Sequence, residues 1–171
     1  MEILIGGLIL VGLMVYASTR IKKTAAAAFE AETVETGDFI IQKPDGFLNV
    51  INRDPRYAFE AYSKDFGGAS SDLRQAHLNL TVRDHGTVDD SAAEIRVSGG
   101  EIVEDLTEVI GSRRYRVIDL KRVDKGIDFY VTYKIAEKNG KIYQLEAVRL
   151  AETSDEFSRK LDLMVGSFEL K

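Results

Sequence analysis

The chain has no cysteine, no tryptophan, two prolines and two histidines in 171 residues. Without cysteine there is no disulfide framework, no thiolate metal site and no thiol nucleophile. Histidine is confined to His77 and His85, so imidazole chemistry has little material. If both lie along one extended strand they stand roughly 26 Å apart at ~3.3 Å per residue, too far to share an ion. Excess positive charge is also missing, with 23 Lys and Arg against 28 Asp and Glu and a net charge of -5. Phosphate neutralisation needs a basic face. A nucleic-acid role would therefore rest on the local patch Arg113, Arg114 and Arg116, which reads instead as a solvated strand edge. The patterns Gly-x-Ser-x-Gly, His-Glu-x-x-His, the Gly-Lys-Ser/Thr phosphate loop and the EF-hand loop are absent. His85, in Asp84-His85-Gly86, reads as turn chemistry rather than as a general base. No catalytic, cofactor or metal site is expected.

What is present begins with an apolar run. From Ile3 to Ala17 every residue is apolar or Gly apart from Tyr16, and nine of the fifteen are Leu, Ile or Val: Ile3, Leu4, Ile5, Leu8, Ile9, Leu10, Val11, Leu13 and Val15. Such residues each favour bilayer insertion by roughly 0.3 to 0.6 kcal/mol. A helix over residues 1–19 would be roughly 28 Å long, close to the ~30 Å hydrocarbon core. The run is thus expected to be a single transmembrane anchor, with Tyr16 at the interface and the bilayer itself as a partner. Arg20, Lys22 and Lys23 follow the run and none precedes it, the reverse of a cleaved secretory signal. By the positive-inside rule this flank sets the rest of the chain on the cytoplasmic side, the extracytoplasmic side being the alternative. The expected division is an anchor with its basic flank over 1–23, an Ala-rich and then acidic linker over 24–37, and one α+β domain over 38–171.

Within that domain Phe39-Ile40-Ile41 reads as a strand closed by the turn Pro44-Asp45-Gly46. Tyr57 to Tyr62 alternates, with Tyr57, Phe59 and Ala61 on one face, and Leu78, Leu80 and Val82 mark a half-buried strand. Asp89-Asp90 before Ser91 is a helix-start or turn signal. Ile102, Leu106, Val109 and Ile110 recur at helical spacing and predict an amphipathic helix over 101–110, its acidic residues turned to water. Strands over 115–123, 127–136 and 142–150, joined by Asp124-Lys125-Gly126 and Lys138-Asn139-Gly140, form an antiparallel meander. A last helix opens with the capping pair Thr153 and Glu156 and carries the stripe Phe157, Leu161, Met164, Val165 and Phe168. Elements in this order, without βαβ alternation, indicate an antiparallel sheet covered by helices.

Two segments carry a resemblance. Phe39 to Phe47, read as strand and then Pro-x-Gly-aromatic, and Gly140 to Leu145 leading to Leu161–Phe168, resemble the Mog1/PsbP-like family over Phe39 to Phe168. The resemblance implies an α/β/α sandwich around an antiparallel sheet. It also implies work by binding: that family includes photosystem accessory subunits, a GTPase-binding transport protein and tethered bacterial lipoproteins. The expected function is a membrane-anchored, non-enzymatic accessory or assembly subunit docking on a larger membrane protein complex. The alternative is a tethered domain that captures a lipid or small apolar ligand between helix and sheet. Tyr62, Tyr130 and Tyr143, if exposed together, would mark the partner surface, with Arg113, Arg114 and Arg116 as a second candidate patch.

Overall fold

The computed structural model describes residues 14–16, 18, 26–51, 53–67 and 73–171. In chain order these form β1 (Glu32–Glu35), β2 (Phe39–Lys43), β3 (Phe47–Asn49), β4 (Tyr57–Ser63), β5 (Ala76–Arg83), α1 (Val88–Val97), β6 (Glu101–Ile110), β7 (Arg113–Asp124), β8 (Ile127–Lys138), β9 (Lys141–Leu150), α2 (Asp155–Gly166) and β10 (Glu169–Leu170). Seven strands make one antiparallel sheet in the order β3-β4-β5-β9-β8-β7-β6, and β1-β2-β10 make a smaller one. The stretch read as a linker therefore contains a strand, since Glu32–Glu35 pairs with β2 along its length.

The meander forms where its turns allow the backbone to reverse. Lys125 and Gly126 have φ of 50° and 79°, and Asn139 and Gly140 have φ of 53° and 74°. Two successive left-handed residues match the twist of the flanking strands, which is why Lys-Gly and Asn-Gly stand at these positions. The helices are fixed by their caps. Thr87 accepts from the Asp90 backbone while the Asp90 carboxylate accepts from the Thr87 backbone, closing a capping box on α1. On α2 the cap is Ser154, which accepts from the Phe157 backbone. The Thr153 hydroxyl instead donates to the Gln75 carbonyl at 2.7 Å, tying the helix start to β5's approach.

Strand register assigns one helix to each face of the large sheet. On one side Phe157, Leu161 and Met164 of α2 lie over Leu78, Leu80 and Leu145, joined by Phe39, Ile41, Phe47 and Phe168. Phe47 meets Phe157 edge-on at 5.8 Å, and Tyr115 meets Phe168 at 6.1 Å. On the other side Ala92 and Ile95 of α1 cover Ile118, Leu120, Val131, Ile135 and Ile142. The result is the expected α/β/α sandwich.

Two expectations are corrected. The segment 101–110 is not a helix. Paired with β7 from Glu101↔Lys121 to Ile110↔Arg113, it is a strand in which Glu101 faces Lys121 and Asp105 is ion-paired with Arg116. The single transmembrane helix, and with it the single-pass localisation, is overturned as well: among the described residues no helix is long and apolar enough to cross a membrane. Its uninterrupted apolar run, 3–17, is shorter than the ~20 residues a span takes. Of the residues expected in the anchor, Val15 and Tyr16 are helical and exposed. Ile3, Leu4, Ile5, Leu8, Ile9, Leu10, Val11 and Leu13, with Arg20, Lys22 and Lys23 of the flank, lie outside the described residues.

Candidate functional site

The three tyrosines do not share a surface. Tyr143 is 2% exposed and belongs to the α2-side core. Tyr62 pairs with His77, which puts it on the α1 side of the sheet, whereas Tyr130 pairs with Lys121 and Arg149 on the α2 side. The arginines are likewise divided by the pleat. Arg113 donates to the Lys171 carbonyl at 2.5 Å, and Arg116 is ion-paired with Asp105. Arg114 is exposed and stands opposite Val109.

The polar groups on the α1 side form a row across three central strands. Asn79, Glu146 and Tyr133 are neighbours in register on β5, β9 and β8. The Tyr133 hydroxyl donates to one carboxylate oxygen of Glu146 at 2.7 Å, and the Asn79 amide donates to the other at 3.1 Å. Burial and the adjacent Glu146 carboxylate push the Tyr133 phenol up, so it stays a donor. His77, half-buried beside this row, is pushed down by burial, against the pull of Glu146. With both oxygens of its carboxylate engaged, Glu146 acts as a tie between strands. Among the described residues no group of three His, Asp or Glu side chains gathers around a possible metal position.

Sequence reasoning missed three cations that the fold uses internally. Lys134 is 1% exposed; its ammonium donates toward the Val165 and Gly166 carbonyls at the end of α2, with Glu108 at 3.7 Å. Burial lowers its pKa, and Glu108 opposes that shift. Lys43, also buried, donates to the Phe47 carbonyl at 2.8 Å and holds the β2–β3 turn. Arg74 lies between two rings, 4.4 Å from the Tyr62 centroid and 3.9 Å from that of Phe66. Alternation inside a strand carries no sign that a lysine will find helix-end carbonyls, and an arginine in a loop carries none that it will be stacked.

What remains outward-facing is β6. It is the last strand of the large sheet, ten residues long, and none of its residues is fully buried. Val103 is 57% exposed and Val109 is 65% exposed. An edge strand directs alternate N–H and C=O groups away from its sheet. Asp105 is held on the α1 side by Arg116 and Arg96, and these guanidinium groups keep its carboxyl below the usual range.

This architecture is an α+β sandwich built on one long antiparallel sheet, and solved structures share it. The chain aligns with cyanobacterial PsbP from Synechocystis at 11% identity and TM-score 0.58, covering 84% of this chain and 94% of that one. LpqN, involved in cell envelope biogenesis of Mycobacterium tuberculosis, aligns at 12% identity and TM-score 0.60, covering 83% and 91%. The Ran-binding protein Mog1p of Saccharomyces cerevisiae aligns at 11% identity and TM-score 0.51, covering 83% and 96%. The Mog1/PsbP-like fold expected from the sequence is therefore the fold of this chain. No family model matches the sequence, and no curated protein does.

Proposed function

We propose that the chain is a non-enzymatic accessory subunit that works by docking on another protein or on a larger complex. The observation that carries this reading is the open β6 edge, a ten-residue strand with exposed valines and no neighbouring strand on its outer side among the described residues. Long exposed edges are binding templates, and proteins that do not use them shorten or cover them. Mog1p, which has the same fold, is a Ran-binding protein, and that supports a binding role. The docking unit runs from β1 rather than from Asp38, because β1 pairs with β2. The alternative of an apolar ligand held between helix and sheet finds that space filled by Phe47, Phe157, Met164 and Phe168. Cross-linking in the native cell, followed by affinity purification of the full chain and mass spectrometry, tests the proposal. A partner recovered in near-stoichiometric amount is expected; a chain recovered alone contradicts it.

A further inference from the structure

The register of β6 also specifies what kind of chain would pair with it. Glu101, Glu104 and Glu108 stand opposite Lys121, Asp119 and Tyr115 of β7, which places all three on the α2 side. Ile102, Thr107 and Val109 stand opposite Leu120, Arg116 and Arg114, on the α1 side. The outer edge therefore offers Glu101, Glu104 and Glu108 along one face, where Leu106 is half-buried between the last two and Glu108 stands 3.7 Å from Lys134. Along the other it offers Ile102, Thr107 and Val109, the Asp105 carboxylate among them being neutralised by Arg96 and Arg116. An added strand would meet these two faces with alternate residues.

The remaining sheet ends are short: β3 has three residues, β1 four and β10 two. At β6 a bulge between Ile102 and Glu104 disturbs the ladder near its start, and the register is unbroken from Glu104 to Ile110. A second copy of the same strand is a poor occupant. β6 carries Glu101, Glu104, Asp105 and Glu108 and no Lys or Arg, so self-pairing would set carboxylates from two chains along one seam.

Resting on the docking role proposed above, we infer that β6 pairs with an extended partner segment in which basic residues alternate with apolar ones. Lysine or arginine lies beside Glu104 and Glu108, and β-branched or aromatic side chains lie beside Thr107 and Val109. Backbone hydrogen bonds supply the attachment, and the charges select the partner.

The experiment titrates the full chain with two labelled decapeptides, one alternating lysine with valine and one alternating glutamate with valine, in about 0.1 M salt, where screening acts over about 10 Å. The basic peptide is expected to bind at least about tenfold more tightly, the difference expected when two or three cross-strand charge pairs turn from repulsive to attractive. The β6 amides between Glu104 and Ile110 shift on binding, and the alternate ones that face away from β7 gain protection from exchange. Glu104→Gln and then Glu104→Lys reduce the preference in that order. Glu104 lies across from Asp119, so either substitution removes a like-charge neighbour and leaves the strand intact. Equal binding of the two peptides, perturbed amides away from β6 and β7, or a dimer of the chain sealed through β6 would each overturn the assignment. A failed peptide preference with a partner still co-purifying overturns the β6 assignment alone, whereas a chain with no partner at all overturns the docking role beneath it.

Discussion

At one end of the seven-stranded sheet the edge strand β3 has three residues, and its Phe47 is completely buried against Phe157. At the other end β6 has ten residues, of which none is fully buried. The β3 end is further tied down by Lys43 donating to the Phe47 carbonyl and by the Lys64 backbone donating to that of Gly46 at 2.9 Å. The β6 end is held mainly by its ladder to β7 and by the Arg96–Asp105–Arg116 ion pairs. The first edge is part of the core, and the second rests beside it. Packing is thereby concentrated at one end of the sheet and the proposed docking edge lies at the other, so residues can be changed at β6 without unfolding the protein.

The largest test of that contrast is Phe47→Ala, expected to cost about 3–5 kcal/mol in urea unfolding because it removes an aromatic ring from a closed site. A loss below about 1 kcal/mol would mean the β3 end is not packed as described. In the middle of the sheet, Tyr133→Phe deprives Glu146 of one of its two donors and should cost about 1–2 kcal/mol. Calorimetry would show it as a lowered Tm.

Asp105→Asn removes the main side-chain tie on β6 and should cost about 1 kcal/mol at neutral pH. The folded pKa of Asp105 is depressed by Arg116 and Arg96, so its contribution is complete above the ordinary value of 3.8 and is lost as pH falls through the lower folded value. Wild type and variant should therefore converge in acid, as followed by unfolding midpoints against pH. Smallest of all, Val109→Thr on the outer strand should change stability by less than about 0.5 kcal/mol, since its side chain is already in water. A loss of 2 kcal/mol there would erase the difference between the two ends.

The legible parts of the fold were those where local chemistry and period agree. Lys125-Gly126 and Asn139-Gly140 can supply tight turns, and the strands between them alternate cleanly, so β7 to β9 could be placed from residues alone. The stripe Phe157, Leu161 and Met164 was equally readable because α2 buries one face, whereas Phe168, read as part of it, lies beyond the helix end at Gly166. β6 was misread for a physical reason. The bulge adds a residue between Ile102 and Glu104 and breaks the two-residue period, leaving Ile102, Leu106, Val109 and Ile110 at apparent helical spacing. The five β-branched residues in EIVEDLTEVI and the basic strand waiting at β7 outweigh that pattern. Candidate-site residues were less legible still. Whether Tyr62, Tyr130 and Tyr143 meet depends on which face each strand turns to the core, and that is decided by pairing between distant segments.

The most direct measurement places a photo-cross-linking residue at Val109 on β6, or at Leu48 on β3, in the full chain expressed in its native cell. Docking through the open edge predicts one discrete adduct with a partner protein from position 109 and none from position 48. Adducts of equal yield from both positions, or none from position 109, would contradict it.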